Sequence, residues 1–134
     1  MIFVDTSAWY ALEVEDDVNH AEARGFLGKV AASGYGISIT TDYVIDETLT
    51  LLRMRRGLEA ASKFVDKVRG SKSVKIFWVG EELFDKAVIL FRSSSDRSWS
   101  FTDCTSFALM RELQMSDAYA FDKHFSEAGS RSIP

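Results

Sequence analysis

Cysteine and proline each occur once in this chain, as Cys104 and Pro134. A single cysteine cannot close an intrachain disulfide, so a reducing compartment suits the protein. No apolar stretch approaches the ~20 residues of a membrane-spanning helix. Met1–Asp5 also lacks the basic segment and long apolar run of a signal peptide. A cytoplasmic location is the expectation. No Gly/Ser-rich linker or internal repeat divides the 134 residues, which suit one domain with a sizeable core. An excess of basic charge is missing too, with 16 Lys and Arg against 20 Asp and Glu and a net charge of −4. That argues against a simple nucleic-acid coat protein. It leaves room for an enzyme with a carboxylate metal site, because the bound ion restores the charge that the ligands remove.

What is present is an alternation of short apolar runs with longer helical patterns. Ile2–Val4, Gly36–Ile39, Val74–Val79 and Ala118–Phe121 read as strands, and a fifth short strand fits near Ser130–Ile133. Helical patterns lie near 17–33, 41–56, 58–70, 80–93, 102–114 and 123–128, and the polar stretch Arg92–Ser98 reads as a loop. Such alternation predicts an α/β fold: a largely parallel sheet of four to five strands with helices on both faces.

In open parallel sheets, ligands bind beyond the carboxyl ends of the strands. Asp5 directly follows Ile2–Val4, and Asp122 directly follows Ala118–Phe121. Asp117 precedes that last strand, at the opposite edge, and is set aside. Glu47 lies about six residues into a helix capped by Thr40 or Thr41, roughly 9 Å along its axis, within reach of the same edge. Helical spacing puts it on a stripe with Val44, Leu51 and Met54, and a carboxylate among apolar neighbours needs a partner. Asp46 points about 100° away and is read as solvated. Asp103 occupies the first turn of a helix beginning near Thr102, where backbone N–H groups favour negative charge.

Each acid has an ordinary alternative. Asp103 could be a helix cap, Asp122 a turn residue, and Glu47 the partner of an arginine. Jointly, four unrelated roles would have to gather four acids at one edge. At ~4 Å, each carboxylate pair costs about 1 kcal/mol in water and several times more at an effective dielectric near 20. A divalent cation removes that cost. Hard oxygen donors without a Cys/His cluster select Mg²⁺ or Mn²⁺, and His20 and His124 look too isolated for zinc.

These residues also carry a likeness. Val4–Trp9, Asp46–Leu52, Ser100–Ala108 and Ala120–Phe125 resemble, in order and over nearly the whole chain, the PIN-domain nucleases and among them the VapC-type toxins. The resemblance implies a three-layer PIN-like fold over 1–134 and a metal-dependent endoribonuclease, the toxin of a toxin–antitoxin pair. It implies Asp5 and Asp103 as principal ligands of Mg²⁺ or Mn²⁺. Glu47 would complete the cluster, and Asp122 would bind a second metal or a metal-bound water. Thr6 matches a hydroxyl position that supports the first Asp, although an ordinary turn or cap hydroxyl explains it equally. RNA as substrate, a cognate antitoxin and a homodimer are implied as partners.

Arg53, Arg55 and Arg56 suit a helix C-terminus. Arg92, Arg97, Lys123 and His124 are the better RNA candidates, the last two because they adjoin Asp122. Trp78 reads as core on its apolar strand, whereas Trp9 and Tyr10 are expected at the rim of the site, available to a partner. Trp99 and Phe101 could stack on a base, with core packing the competing role. A phosphatase with a paired aspartate motif fits poorly, because Ser7 stands where the second acid belongs. A receiver domain lacks its paired acids and late lysine. The alternative that stays open is a PIN-like module that binds RNA or protein without cutting.

Overall fold

A computed structural model describes residues 1–32 and 34–134. Along the chain run β1 (Ile2–Val4), α1 (Thr6–Glu13), α2 (His20–Ala32), β2 (Ser38–Thr41), α3 (Asp42–Arg56), α4 (Leu58–Gly70) and β3 (Val74–Phe77). Then follow α5 (Glu81–Ser93), α6 (Phe101–Glu112), β4 (Asp117–Tyr119), α7 (His124–Glu127) and β5 (Arg131–Ile133). The strands form one sheet in the order β3-β2-β1-β4-β5, and every neighbouring pair is parallel.

β1 is buried at all three residues, which in a pleated strand means that both faces of the sheet are covered. Phe3 stacks on Phe125 of α7, which in turn meets Phe107 of α6. Val4 points the other way and shares its face with its register partner Tyr119, whose ring meets Phe26 of α2. α3 and α4 form a helical hairpin around Gly57, whose φ of 94° suits a residue without Cβ. The Gly57 N–H closes α3 on the carbonyls of Leu52 and Arg53.

Several expectations need correction. α1 was not anticipated: the chain turns into a helix directly after Asp5, which is its N-cap. The first long helix begins at His20 rather than 17, and the predicted end at Ser33 lies outside the described residues. β3 stops at Phe77, and Trp78 beyond it is 75% exposed instead of in the core. β4 covers Asp117–Tyr119, so Asp117 opens the strand and Asp122 stands three residues past its end. The buried side of α3 is Val44, Ile45, Thr48 and Leu52; Met54 is 78% exposed and leaves the expected stripe. Trp9 is buried, donating its indole N–H to Thr40 Oγ1 at 3.4 Å, while Tyr10 is half-buried.

Candidate active site

Chain order runs from β1 outward to β2 and β3, then returns to β4 and β5 on the other side of β1. The direction reverses between β1 and β4, so a crevice opens beyond their carboxyl ends, where open α/β sheets bind ligands. A cavity of about 250 Å³ holds Asp5, Glu47, Asp103 and Asp122 together. All four acids singled out from the sequence meet there, and Asp46 and Asp117 do not line it.

Asp5 arrives by strand and cap at once. Its backbone N–H continues the sheet pairing to the Tyr119 carbonyl at 3.1 Å. Its Oδ2 then accepts from the Ser7 N–H at 3.0 Å and the Ser7 hydroxyl at 2.7 Å, starting α1. Ser7 Oγ also accepts the Phe121 N–H at 3.0 Å, which ties the segment leading to Asp122 to the end of β1. Asp5 is only 5% exposed. Burial raises its carboxyl to about 6; the Ser7 bonds oppose the rise and the Asp103 charge adds to it.

Glu47 sits two turns into α3, where burial pushes its carboxyl above the ordinary range. Hydrogen bonding from Thr6 and Thr102 restrains the rise, and the charges of Asp103 and Asp122 add to it. Thr6 is buried, and its hydroxyl also lies 3.5 Å from the Val44 carbonyl, so it links α1 to α3 beside the acid. No arginine ion pair of Glu47 is found among the described residues.

For Asp103 the cap and the cluster coexist. It is the third residue of a capping box: its N–H bonds Ser100 Oγ at 3.0 Å, and its Oδ2 accepts the Ser100 N–H at 2.9 Å. The helix therefore starts at Phe101, with Ser100 rather than Thr102 at its boundary. Asp122 Oδ1 accepts the His124 N–H at 2.9 Å. His124 is not isolated after all. Its Nδ1 lies 2.9 Å from Asp103 Oδ2 and 3.3 Å from Asp122 Oδ1. One donor atom from each of Asp103, Asp122 and His124 lies within 4.8 Å of the others, so this corner could hold a metal.

The cavity also contains residues that sequence reasoning passed over or assigned elsewhere. Ser7, Tyr10, Asp17, Asn19 and Arg55 line it. Arg92, Arg97, Lys123 and His124, the expected RNA contacts, do not. Arg97 lies 3.8 Å from Asp96, and Lys123 lies 3.5 Å from Glu127. Glu127 also accepts the Trp99 indole N–H at 3.3 Å, and Trp99 packs edge-on against Phe107 instead of standing free. Cys104 is buried, and burial raises its thiol to about 11, so it is no nucleophile.

A parallel α/β sheet with a carboxylate-rich crevice at its switch point gathers hard oxygen donors where open sheets bind ligands, the setting of a divalent-cation site. The chain belongs to the PIN-domain family, whose profile matches residues 2–130. It is 40% identical over 129 residues to the 23S rRNA-specific endonuclease VapC20 of Mycobacterium tuberculosis, covering 96% of this chain and 95% of that one. It is 26% identical over 124 residues to a VapC ribonuclease of Archaeoglobus fulgidus, covering 92% and 78%. The crystal structure of M. tuberculosis VapC20, described as a sarcin–ricin loop cleaving toxin, superposes with a TM-score of 0.90 at 37% identity, over 99% of this chain and 98% of that one.

Proposed function

We propose that this chain is a metal-dependent endoribonuclease that hydrolyses RNA phosphodiester bonds, with Asp5, Glu47, Asp103 and Asp122 as its acidic centre. The observation that carries this reading is the meeting of those four carboxylates in one cavity at the switch point of the sheet. Their oxygens suit Mg²⁺ or Mn²⁺: the set is hard and anionic, and two members are held above their ordinary range by burial, a state that a cation relieves. Asp5 and Asp103 would be the main ligands, with Glu47 and Asp122 completing the set. When bound, such an ion polarises a phosphate oxygen and lowers the pKa of water.

The chain's own residues do the positioning. Ser7 fixes Oδ2 of Asp5, and the Ser100 N–H with His124 fixes Oδ2 of Asp103. Thr6 and Thr102 orient Glu47, whose carboxylate, once ionised, would accept a proton from an attacking water. Purified protein incubated with 23S rRNA and with a mixed RNA pool in Mn²⁺ should give discrete cuts that EDTA abolishes. Intact RNA under both conditions would leave the non-cutting PIN-like module as the better account.

The same reading makes the chain a cytoplasmic toxin paired with a small antitoxin and acting as a homodimer. Exposed apolar side chains supply surface for association: Phe84 and Phe91 of α5 flank Phe101, Ile89 of the same helix is exposed, and Met54 and Leu58 line a groove of about 520 Å³ between α3 and α4. The expected partner contact through Trp9 is withdrawn, since that ring is buried. Light scattering should give twice the chain mass, and a coexpressed partner should suppress cleavage. A strict monomer removes the dimer from the proposal.

A further inference from the structure

The cavity that gathers the acids has a cation on its wall. Arg55 lies in the last turn of α3 and reaches the cavity that also contains Glu47, Asp17 and Tyr10. Among the described residues it joins no ion pair, whereas its neighbour Arg56 is paired with Asp16. Its guanidinium carbon instead stands 5.4 Å from the centre of the Tyr10 ring. An arginine beside carboxylates ordinarily clamps one of them through its planar fork. Stacking on an aromatic face holds the group by its π surface and leaves its in-plane N–H donors unspent. Arg55 is exposed, so those donors remain accessible from solvent.

A held guanidinium with free donors, at the mouth of a cavity that is otherwise anionic, matches a phosphate oxygen. An RNA strand approaching four carboxylates also needs a compensating cation on its path. We propose that Arg55, held in place by Tyr10, is a positioning residue that grips a phosphate of the RNA backbone flanking the bond to be cut. This rests on the ribonuclease reading and adds a substrate contact to it. Phosphate contacts of this kind fix the register of a strand and carry no sequence information. The competing role is neutralisation, with Arg55 merely offsetting the charge of the acids. The two roles separate by measurement, because a neutraliser affects metal affinity and stability while a phosphate grip affects RNA affinity and its salt dependence.

The experiment follows cleavage of one RNA substrate by the full chain in Mn²⁺ across a series of KCl concentrations. Arg55→Gln should raise KM about tenfold, the scale of losing one hydrogen-bonded charge contact, with kcat within about twofold. The slope of log(kcat/KM) against log[KCl] should become shallower by about 0.7, one phosphate's worth for a single strand. Arg55→Lys should keep the wild-type slope with an intermediate KM, since charge remains and the fork is lost. Tyr10→Leu should raise KM and leave the slope unchanged, because the cation remains but is no longer held. Wild-type KM and slope in Arg55→Gln, or a change confined to Mn²⁺ affinity and melting temperature, would overturn the proposal while the ribonuclease reading stands. A wild-type chain that cuts no RNA would overturn both.

Discussion

The imidazole Nδ1 of His124 and the backbone N–H of Ser100 converge on one oxygen, Oδ2 of Asp103, each at 2.9 Å. Two donors on Oδ2 orient the carboxylate from two neighbouring elements: Ser100 caps α6, and His124 opens α7. The other imidazole nitrogen, Nε2, lies 3.2 Å from Ser98 Oγ, so the ring is held at both ends. Outer partners of this type commonly change metal affinity 10- to 100-fold when removed.

His124→Ala is therefore expected to weaken Mn²⁺ binding about tenfold. The capping box of α6 should survive, because Ser100 and Asp103 still bond each other. Isothermal titration calorimetry measures the affinity directly. Unchanged binding in this variant would show that the imidazole is a bystander to the acidic centre.

Asp5→Asn and Asp103→Asn should each abolish RNA cleavage while the far-UV circular dichroism stays as in the parent. Both amides can still accept the hydrogen bonds that start their helices, so the loss lies in the charge offered to the metal. Asp46→Asn should cut normally, since Asp46 is exposed and outside the cavity. Asp117 bonds Arg131 through both oxygens, at 2.8 and 2.6 Å, on a partly exposed surface. Asp117→Asn should cost up to about 1 kcal/mol of stability and no activity. Equal damage from Asp117→Asn and Asp122→Asn would contradict the placement of the cavity.

Much of this centre could be read from the sequence, because strand ends and helix starts are local features. The apolar run Ile2–Val4 ends at Asp5, and Asp103 falls in the first turn of a helical pattern, although the Ser100 cap that begins α6 went unread. α1 was missed because it has eight residues and follows the strand with no intervening turn signal. Its N-cap is the very Asp that was read as a strand-end ligand. Met54, Trp9 and Trp78 were misplaced because exposure depends on which element packs alongside. Trp78 lies one residue past β3 and so escapes the sheet, while α4 brings Phe64 against Trp9. Arg55 lies in the cavity against Tyr10, and His124 bonds Asp103 from beside it, partners 45 and 21 positions away in the chain. No local pattern encodes such contacts. Arg55 was explained well enough by the helix dipole to hide its position.

Relief of repulsion gives a prediction on stability. Mg²⁺ or Mn²⁺ should raise the melting temperature, since a ligand at 100 times its Kd adds about 2.7 kcal/mol if it binds only the folded state. Glu47→Gln should raise the melting temperature of the metal-free protein, because it removes a charge that is disfavoured first by burial and then by Asp103 and Asp122. The same change should weaken Mn²⁺ binding. Coincident melting curves with and without millimolar Mn²⁺ would count heavily against a clustered acidic site.

The last prediction concerns pH in the absence of metal. Asp5 titrates near 6 in the folded chain against an ordinary value of 3.8, chiefly because burial disfavours its charged form. Folding therefore favours the protonated carboxyl. The stabilisation this gives is complete below about pH 4 and is lost as pH rises through 6, a swing of about 3 kcal/mol for Asp5. In EDTA, the melting temperature should fall between pH 5 and pH 7 in the parent. Asp5→Asn keeps an acceptor for Ser7 and cannot ionise, so its melting temperature should change less over that interval. Mn²⁺ should reverse the trend in the parent, because the ion competes with protons for the same oxygens and binds more tightly as pH rises. Differential scanning fluorimetry of both proteins at several pH values, with EDTA and then with Mn²⁺, gives the four curves needed. Parallel parent and Asp5→Asn curves in EDTA would mean that Asp5 is not the buried, charge-strained member of the cluster.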